Sequence, residues 1–342
     1  MSEPTTNASN PILGITMGDC NGVGPELLAK ALARLASCPT CSLVVFGSAP
    51  VLTSMRDMAP GMPPCHAIAS LDALADCDGD SIPVYDAGCA PPPVRPGVLD
   101  AAMGRCAAQW IEAAADAALA GQIHGMVTCP VNKEGMLLSG CPHAGHTPLL
   151  AAVTGTHACH MSLFSERMRI VHITAHLSMA DAVNAVTKER VFSAIKAGAA
   201  VLRRIGFDAP RIAVAGLNPH AGEAGVFGTE ETEAIVPAIA AATEAGIHCA
   251  GPFSPDTVFQ RMYAGEFDLV VAMYHDQGHI PFKLIVMDDG VHVTLGLPFI
   301  RTSPDHGTAY DIAGRGTARE GSLCAAIALA ALWARHGAED TP

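Results

Sequence analysis

Three histidines far apart in the chain, His176, His220 and His275, each stand a few residues beyond an apolar, strand-like run. Parallel strands that end side by side bring such residues to one edge of a sheet, where three imidazoles can meet on a single ion. Three nitrogen ligands leave positions open for water or substrate, as in a catalytic rather than a structural site. Imidazole suits zinc, cobalt, nickel, iron or manganese better than magnesium. The chain has 15 histidines, so the same three could equally be scattered hydrogen-bonding side chains, and spacing alone leaves both readings open. Two closer pairs, His143/His146 and His157/His160, have ligand spacing without the carboxylate of a HExxH site; His146 is read as a substrate contact instead. Cys38 and Cys41 have redox or zinc spacing, but no second CxxC completes the set.

The elements that would position these residues follow from pattern. Ile12–Met17, Ser42–Gly47, Gly125–Thr128, Ile170–Thr174, Arg211–Gly216, Asp268–Met273 and Val291–Gly296 look like strands, and they alternate with Ala-rich helical stretches at Pro25–Ser37, Leu99–Leu119, Lys188–Ile205 and Thr229–Ala245. Runs such as Leu43-Val44-Val45-Phe46 and Leu269-Val270-Val271-Ala272 lack in/out polarity, so helices should cover both faces of a mostly parallel sheet. Thr187 is placed to cap the helix after it, and Gly206 and Gly246 to end helices in a left-handed conformation. The stretch Gly14 to Glu26 leaves a strand, turns through glycines and enters a helix near Pro25; such a turn is either a plain βα loop or an anion cradle. Candidate polar residues cluster just after strands, at the edge where open α/β sheets bind ligands.

Composition narrows the classes. At 342 residues the chain exceeds one usual hydrophobic core, so two domains or a bilobal body is expected. Charged residues make up only 15%, which asks for deep burial or a subunit interface. A formal charge of −13 repels nucleic acid, so an anionic substrate would need a local pocket of Lys and Arg. The polar Met1–Asn10 lacks the order of a signal peptide, and the longest apolar run, Leu323 to Trp333, is about half a membrane span. Cytoplasmic location, no membrane contact and twelve reduced cysteines are the expectation.

His306-Gly-Thr-Ala-Tyr-Asp-Ile-Ala-Gly314 resembles the HGSAPDIAG signature of the isopropylmalate and isocitrate dehydrogenase group, with Thr308 for Ser and Tyr310 for Pro. The resemblance implies that His306, Gly307, Thr308, Ala309, Asp311 and Gly314 bind the dinucleotide, with Asp311 favouring NAD over NADP. More broadly, Gly18-Asp19 through Pro25-Glu26, Gly145-His146-Thr147, Ala215 to Glu223, Tyr274 to Gly278 and Thr294 to Ser303 are similar to the 4-hydroxythreonine-4-phosphate dehydrogenase (PdxA) family, from about Ile12 to Ala330.

That resemblance implies a two-lobed isocitrate/isopropylmalate dehydrogenase-like α/β fold with a cleft between lobes: 1–128 with 290–342 on the cofactor side, 129–289 on the metal and dimer side. It implies a homodimer whose active site the neighbouring subunit completes. His176, His220 and His275 would hold a divalent cation (Zn, Co, Mn or Mg). His146, Thr147, Lys283, His292 and Arg301 would bind a small anionic substrate, with Lys283 or Asp256 as catalytic acid. The reaction implied is NAD-dependent oxidative decarboxylation of 4-phosphohydroxy-L-threonine, a step toward pyridoxal 5'-phosphate. Pro148 stands where the family has Glu, and His292 where it has Asn, which widens the choice of substrate. Threonate or erythronate 4-phosphate, or a carboxylated cis-dihydrodiol, are the alternatives within the class. An inactive homologue that keeps metal and ligand is the alternative outside it.

Overall fold

Five short apolar strands build the first of two compact units. They are β1 (Ile12–Thr16), β2 (Ser42–Phe46), β3 (Cys65–Ile68), β4 (Ile82–Tyr85) and β5 (Gly125–Thr128), in the order β3-β4-β2-β1-β5, with every pairing parallel. The computed structural model describes residues 10–36, 40–77, 80–286 and 288–336. Met1–Ser9 and Cys38 of the CxxC pair lie outside the described residues; Cys41 is buried. The helix Gly24–Leu35 carries Pro25 in its first turn, and Ala101–Leu119 is capped by the Asp100 side chain on the Ala102 N–H.

The second unit holds β6 (His160–Phe164), β7 (Arg169–His172), β8 (Ile212–Ala215), β9 (Cys249–Phe253), β10 (Leu269–Ala272), β11 (Val291–Leu295) and β12 (Ile300–Pro304) in the order β12-β11-β6-β7-β10-β8-β9. β11 runs antiparallel to β12 and β6, and β6 to β7; the other pairings are parallel. Leu163, Ile170, Ala213, Val270 and Phe282 pack in its core, and β8 and β10 are buried along their whole length, as strands covered on both faces must be.

The units comprise 1–146, 306–320 and 327–342, and 147–305 with 321–326, so the division falls later in the chain than the expected 128/129 and 289/290. Pairing explains the second shift: β11 and β12 are stitched to β6, which keeps 290–305 with the second unit. Packing explains the first, because the short helix Lys133–Leu138 lies against Ala101–Leu119. A Cβ on Gly104 would stand 2.2 Å from the Gly135 carbonyl.

Thr187 caps Lys188–Arg204 through the Arg190 N–H at 3.3 Å, and Gly206 and Gly246 have φ of 100° and 76°. The helix expected over Thr229–Ala245 begins instead as a π-helical turn, Glu231–Ile235, before α-helix over Val236–Glu244. Pro237 has no N–H to give the preceding turn, which widens to accommodate it. One expectation is corrected outright: Cys89 and Cys106 are disulfide-bonded, Cα to Cα 5.6 Å, where reduced thiols were expected. The Trp110 indole N–H donates to the Asp86 carbonyl at 2.9 Å and holds the loop after β4 on the helix, a proximity that sequence spacing does not disclose.

Candidate active site

In the first unit, the turn after β1 and the 306–320 segment form one structure. Gly18 (φ 75°) passes so close to the next strand's exit that a Cβ would lie 2.3 Å from the Pro130 carbonyl oxygen; only glycine fits. Asp19 is fully buried and accepts from the Asn21 N–H at 2.8 Å and the Tyr310 hydroxyl at 2.6 Å. Burial raises the Asp19 carboxyl above its usual range against those hydrogen bonds, and burial together with Asp19 raises the Tyr310 phenol. The Val23 N–H donates to the Thr308 carbonyl at 2.9 Å. Glu26, also buried, accepts from the Gly316 and Ala318 N–H groups and from Lys30. These ties leave His306, Gly307, Asp311 and Gly314 exposed along the outer side of the loop, with Thr308 and Ala309 half-buried. An exposed carboxylate beside exposed glycines can accept ribose hydroxyls.

In the second unit, His275 opens the helix His275–Ile285 just after β10, and His176 follows β7. Their ring centroids are 5.8 Å apart. The Asp276 carboxylate lies 2.6 Å from Nδ1 of His275, which favours the proton there and leaves the Nε2 lone pair able to accept. His279 stacks on His275 at 3.6 Å, and its Nδ1 lies 3.2 Å from Nε2 of His172. Burial pulls His172 down to about 3 and His279 to about 4, so both are neutral near pH 7.

His220 lies on a segment whose residues His220 to Ala224 all have left-handed φ, between 44° and 80°. Buried Glu231 anchors that turn by accepting from the Leu217 and Asn218 N–H groups, both at 2.8 Å. Among the described residues no three His, Cys, Asp or Glu side chains converge closely enough to hold an ion. His176 and His275 are thus ring neighbours, and His220 is carried on a turn of its own. In donor chemistry, His176 and His275 with Asp276 behind fit a divalent first-row metal.

His292 on β11 is the register partner of Ser303 on β12, two residues past Arg301. Nη1 of Arg301 donates to Nδ1 of His292 at 2.7 Å and to the Thr294 hydroxyl at 2.9 Å. A guanidinium can only donate, so Nδ1 is the acceptor and the His292 proton sits on Nε2. Burial lowers Arg301 to about 9, which still leaves it charged at neutral pH. Lys283 reaches Asp305, Nζ to Oδ2 2.5 Å and to the backbone carbonyl 2.8 Å. Asp256 is exposed; the Ser254 hydroxyl donating at 2.6 Å, chief among several causes, holds its carboxyl low. His146 and Thr147, both half-buried, open the helix His146–Thr154. Of the second pairing considered for metal, His160 is buried against Ser193 at 2.9 Å and lowered to about 4 by burial.

Two polar anchors, Asp305 and Glu231, escaped sequence reading; Asp276 and Gln277 stood in the polar cluster after a strand, and the Gln277 amide joins the Met273 N–H to the Gly216 carbonyl. Only Asp276 and Gln277 carried a signal, from their place beside His275.

The family model described as pyridoxal phosphate biosynthetic protein PdxA matches residues 39–330. A 4-hydroxythreonine-4-phosphate dehydrogenase from Desulfosudis oleivorans is 46% identical over 94% of this chain and 95% of its own. A D-threonate 4-phosphate dehydrogenase from Pectobacterium atrosepticum is 41% identical over 93% and 98%. Among solved structures, a 4-hydroxythreonine-4-phosphate dehydrogenase from Klebsiella pneumoniae has a TM-score of 0.85 at 42% identity, covering 96% of this chain and 99% of that one. With motif residues, fold and relatives in agreement over most of its length, the chain belongs to the PdxA family and is a dehydrogenase.

Proposed function

We propose that this protein oxidises and decarboxylates a small phosphorylated hydroxy acid with NAD and a divalent cation, 4-phosphohydroxy-L-threonine being the first candidate. The observation that carries this reading is the cationic pair in a chain of formal charge −13: buried Arg301 bound to His292, and Lys283 anchored on Asp305. A guanidinium and a neutral Nε2–H suit phosphate or carboxylate oxygens. When bound, the cation would acidify the substrate hydroxyl and NAD would take up the hydride. His176, His220 and His275 would hold the cation, and Asp311 in the 306–314 loop would accept the ribose hydroxyls. Lys283 would return a proton to the carbon that loses CO2, with Asp305 fixing where its ammonium stands; Asp256 is the second candidate for that acid. His146 and Thr147 would contact the substrate.

D-threonate 4-phosphate is the second candidate substrate, on the strength of relatives so named at 41–42% identity. We propose a cytoplasmic homodimer that completes each site with the neighbouring subunit. Exposed Ile280 (64%) and Leu284 (80%), one turn apart on the helix that also carries His275 and Lys283, support a covered face. The test is stoichiometry over a substrate panel: one NADH and one CO2 per turnover, both abolished by chelation. NADH without CO2 removes the decarboxylation, and no NADH with any hydroxy-acid phosphate favours the inactive homologue.

A further inference from the structure

We infer that the hydrogen bond from Tyr310 to Asp19 is a latch that sets the 306–314 loop in its dinucleotide-binding shape, which makes Tyr310 a positioning residue. The inference rests on the reading of that loop as the NAD site.

Ala309 holds a left-handed φ of 42°, a conformation that a residue with a side chain keeps only when its surroundings enforce it. The residues on either side are the ones tied down. Before it, the Thr308 carbonyl accepts from the Val23 N–H, and Gly22 lies so close that a Cβ there would be 2.9 Å from the Thr308 oxygen. After it, the Tyr310 hydroxyl donates to Oδ2 of Asp19 at 2.6 Å.

The same hydroxyl is bonded by the Asn132 side chain. Oδ1 of Asn132 already accepts from the Gly135 N–H at 2.9 Å, so its amide N–H is the donor to Tyr310. A directed chain results, from Asn132 to Tyr310 to Asp19. It joins the loop to the turns that follow β5 and β1, and Gly97 packs under the Tyr310 carbonyl from below. Asp19 can accept this bond at small cost because the Asn21 N–H already satisfies its other oxygen. The anchored side of the loop thereby faces the protein, and Asp311, next in sequence, is left exposed. Phenylalanine would fill the same space as Tyr310 while leaving a buried carboxylate short of a donor.

Tyr310→Phe in the full chain tests the latch. Amide exchange over 306–316, measured without dinucleotide, should quicken about ten-fold, and the calorimetric Kd and the KM for NAD should rise about ten-fold, the range that one hydrogen bond to an ion supports. kcat at saturating NAD should stay within about two-fold, since no reacting atom is touched. In an Asp19→Asn background, where the acceptor is already weakened, the same change should have a smaller effect; full additivity would overturn the pairing. Unchanged exchange in Tyr310→Phe means there is no latch. Faster exchange with an unchanged Kd means the latch does not serve the dinucleotide. If the wild-type chain binds no NAD at all, the cofactor reading itself fails and takes this inference with it, whatever the exchange shows.

Discussion

Lys283 is exposed and flexible by nature, and Asp305 is what gives its ammonium an address. If Lys283 returns the proton, Lys283→Met should lower kcat by roughly 10²–10³-fold with a smaller change in the KM for NAD. Lys283→Arg should not restore it, because a guanidinium keeps its protons; steady-state kinetics decide the matter, and a fully active Lys283→Met enzyme would shift the role to Asp256. Glu26 illustrates a structural carboxylate of the same unit as the 306–314 loop. Removing it leaves the Gly316 and Ala318 N–H groups without their acceptor and takes the carboxylate from Lys30, which keeps the Gly316 and Ala318 carbonyls, so Glu26→Ala should cost roughly 2–3 kcal/mol and show as a lowered Tm. Sequence reading singled out Lys283, Arg301 and His292 by motif. It could not see Asp305 or Glu231, because neither an acid that meets a lysine from a distant part of the chain nor a buried acid that binds backbone N–H groups has a pattern of its own.

The helices Ala101–Leu119 and Lys133–Leu138 meet through glycine at Gly104, where the Gly135 carbonyl occupies the space a methyl group needs. Gly104→Ala should destabilise by about 2–3 kcal/mol or more, since backbone cannot yield as a side chain can. Gly135→Ala, whose nearest contact is the Leu99 side chain at 3.4 Å, should lie within about 1 kcal/mol of wild type. Equal melting temperatures for the two variants would refute this account of the helix contact. Strands with unbroken apolar runs were legible, and Gly125–Thr128 matches residue for residue. β12 was not read at all: Ile300-Arg-Thr-Ser-Pro304 is polar in composition yet buried along its length, because its polar side chains bond to β11 and to the last helix.

For the whole molecule, pH and assembly are the accessible variables. His160 is buried and its folded pKa, about 4, lies below the unfolded 6.5, so the unfolded chain binds more protons between those values. Stability from this group is complete above pH 6.5 and is lost as pH falls toward 4, by roughly 3 kcal/mol at the low end. Melting curves from pH 7.5 to 4.5 should show that slope added to those of His172 and His279, and His160→Gln should make it shallower; an unchanged slope would assign the acid sensitivity to the other two. Placing a charge at Leu284, as in Leu284→Glu, should turn a dimer into monomer in sedimentation if that exposed face is the subunit contact, with loss of activity as the site loses its neighbour.

The βα alternation and the family were legible in the order of side chains alone, because motif spacing and apolar periodicity are local properties of a chain. Which residues meet is a matter of long-range pairing. The antiparallel β6, β11 and β12, the Cys89–Cys106 bond, the closeness of His176 to His275, and the Tyr310–Asp19 link all join residues that only the folded backbone brings within reach.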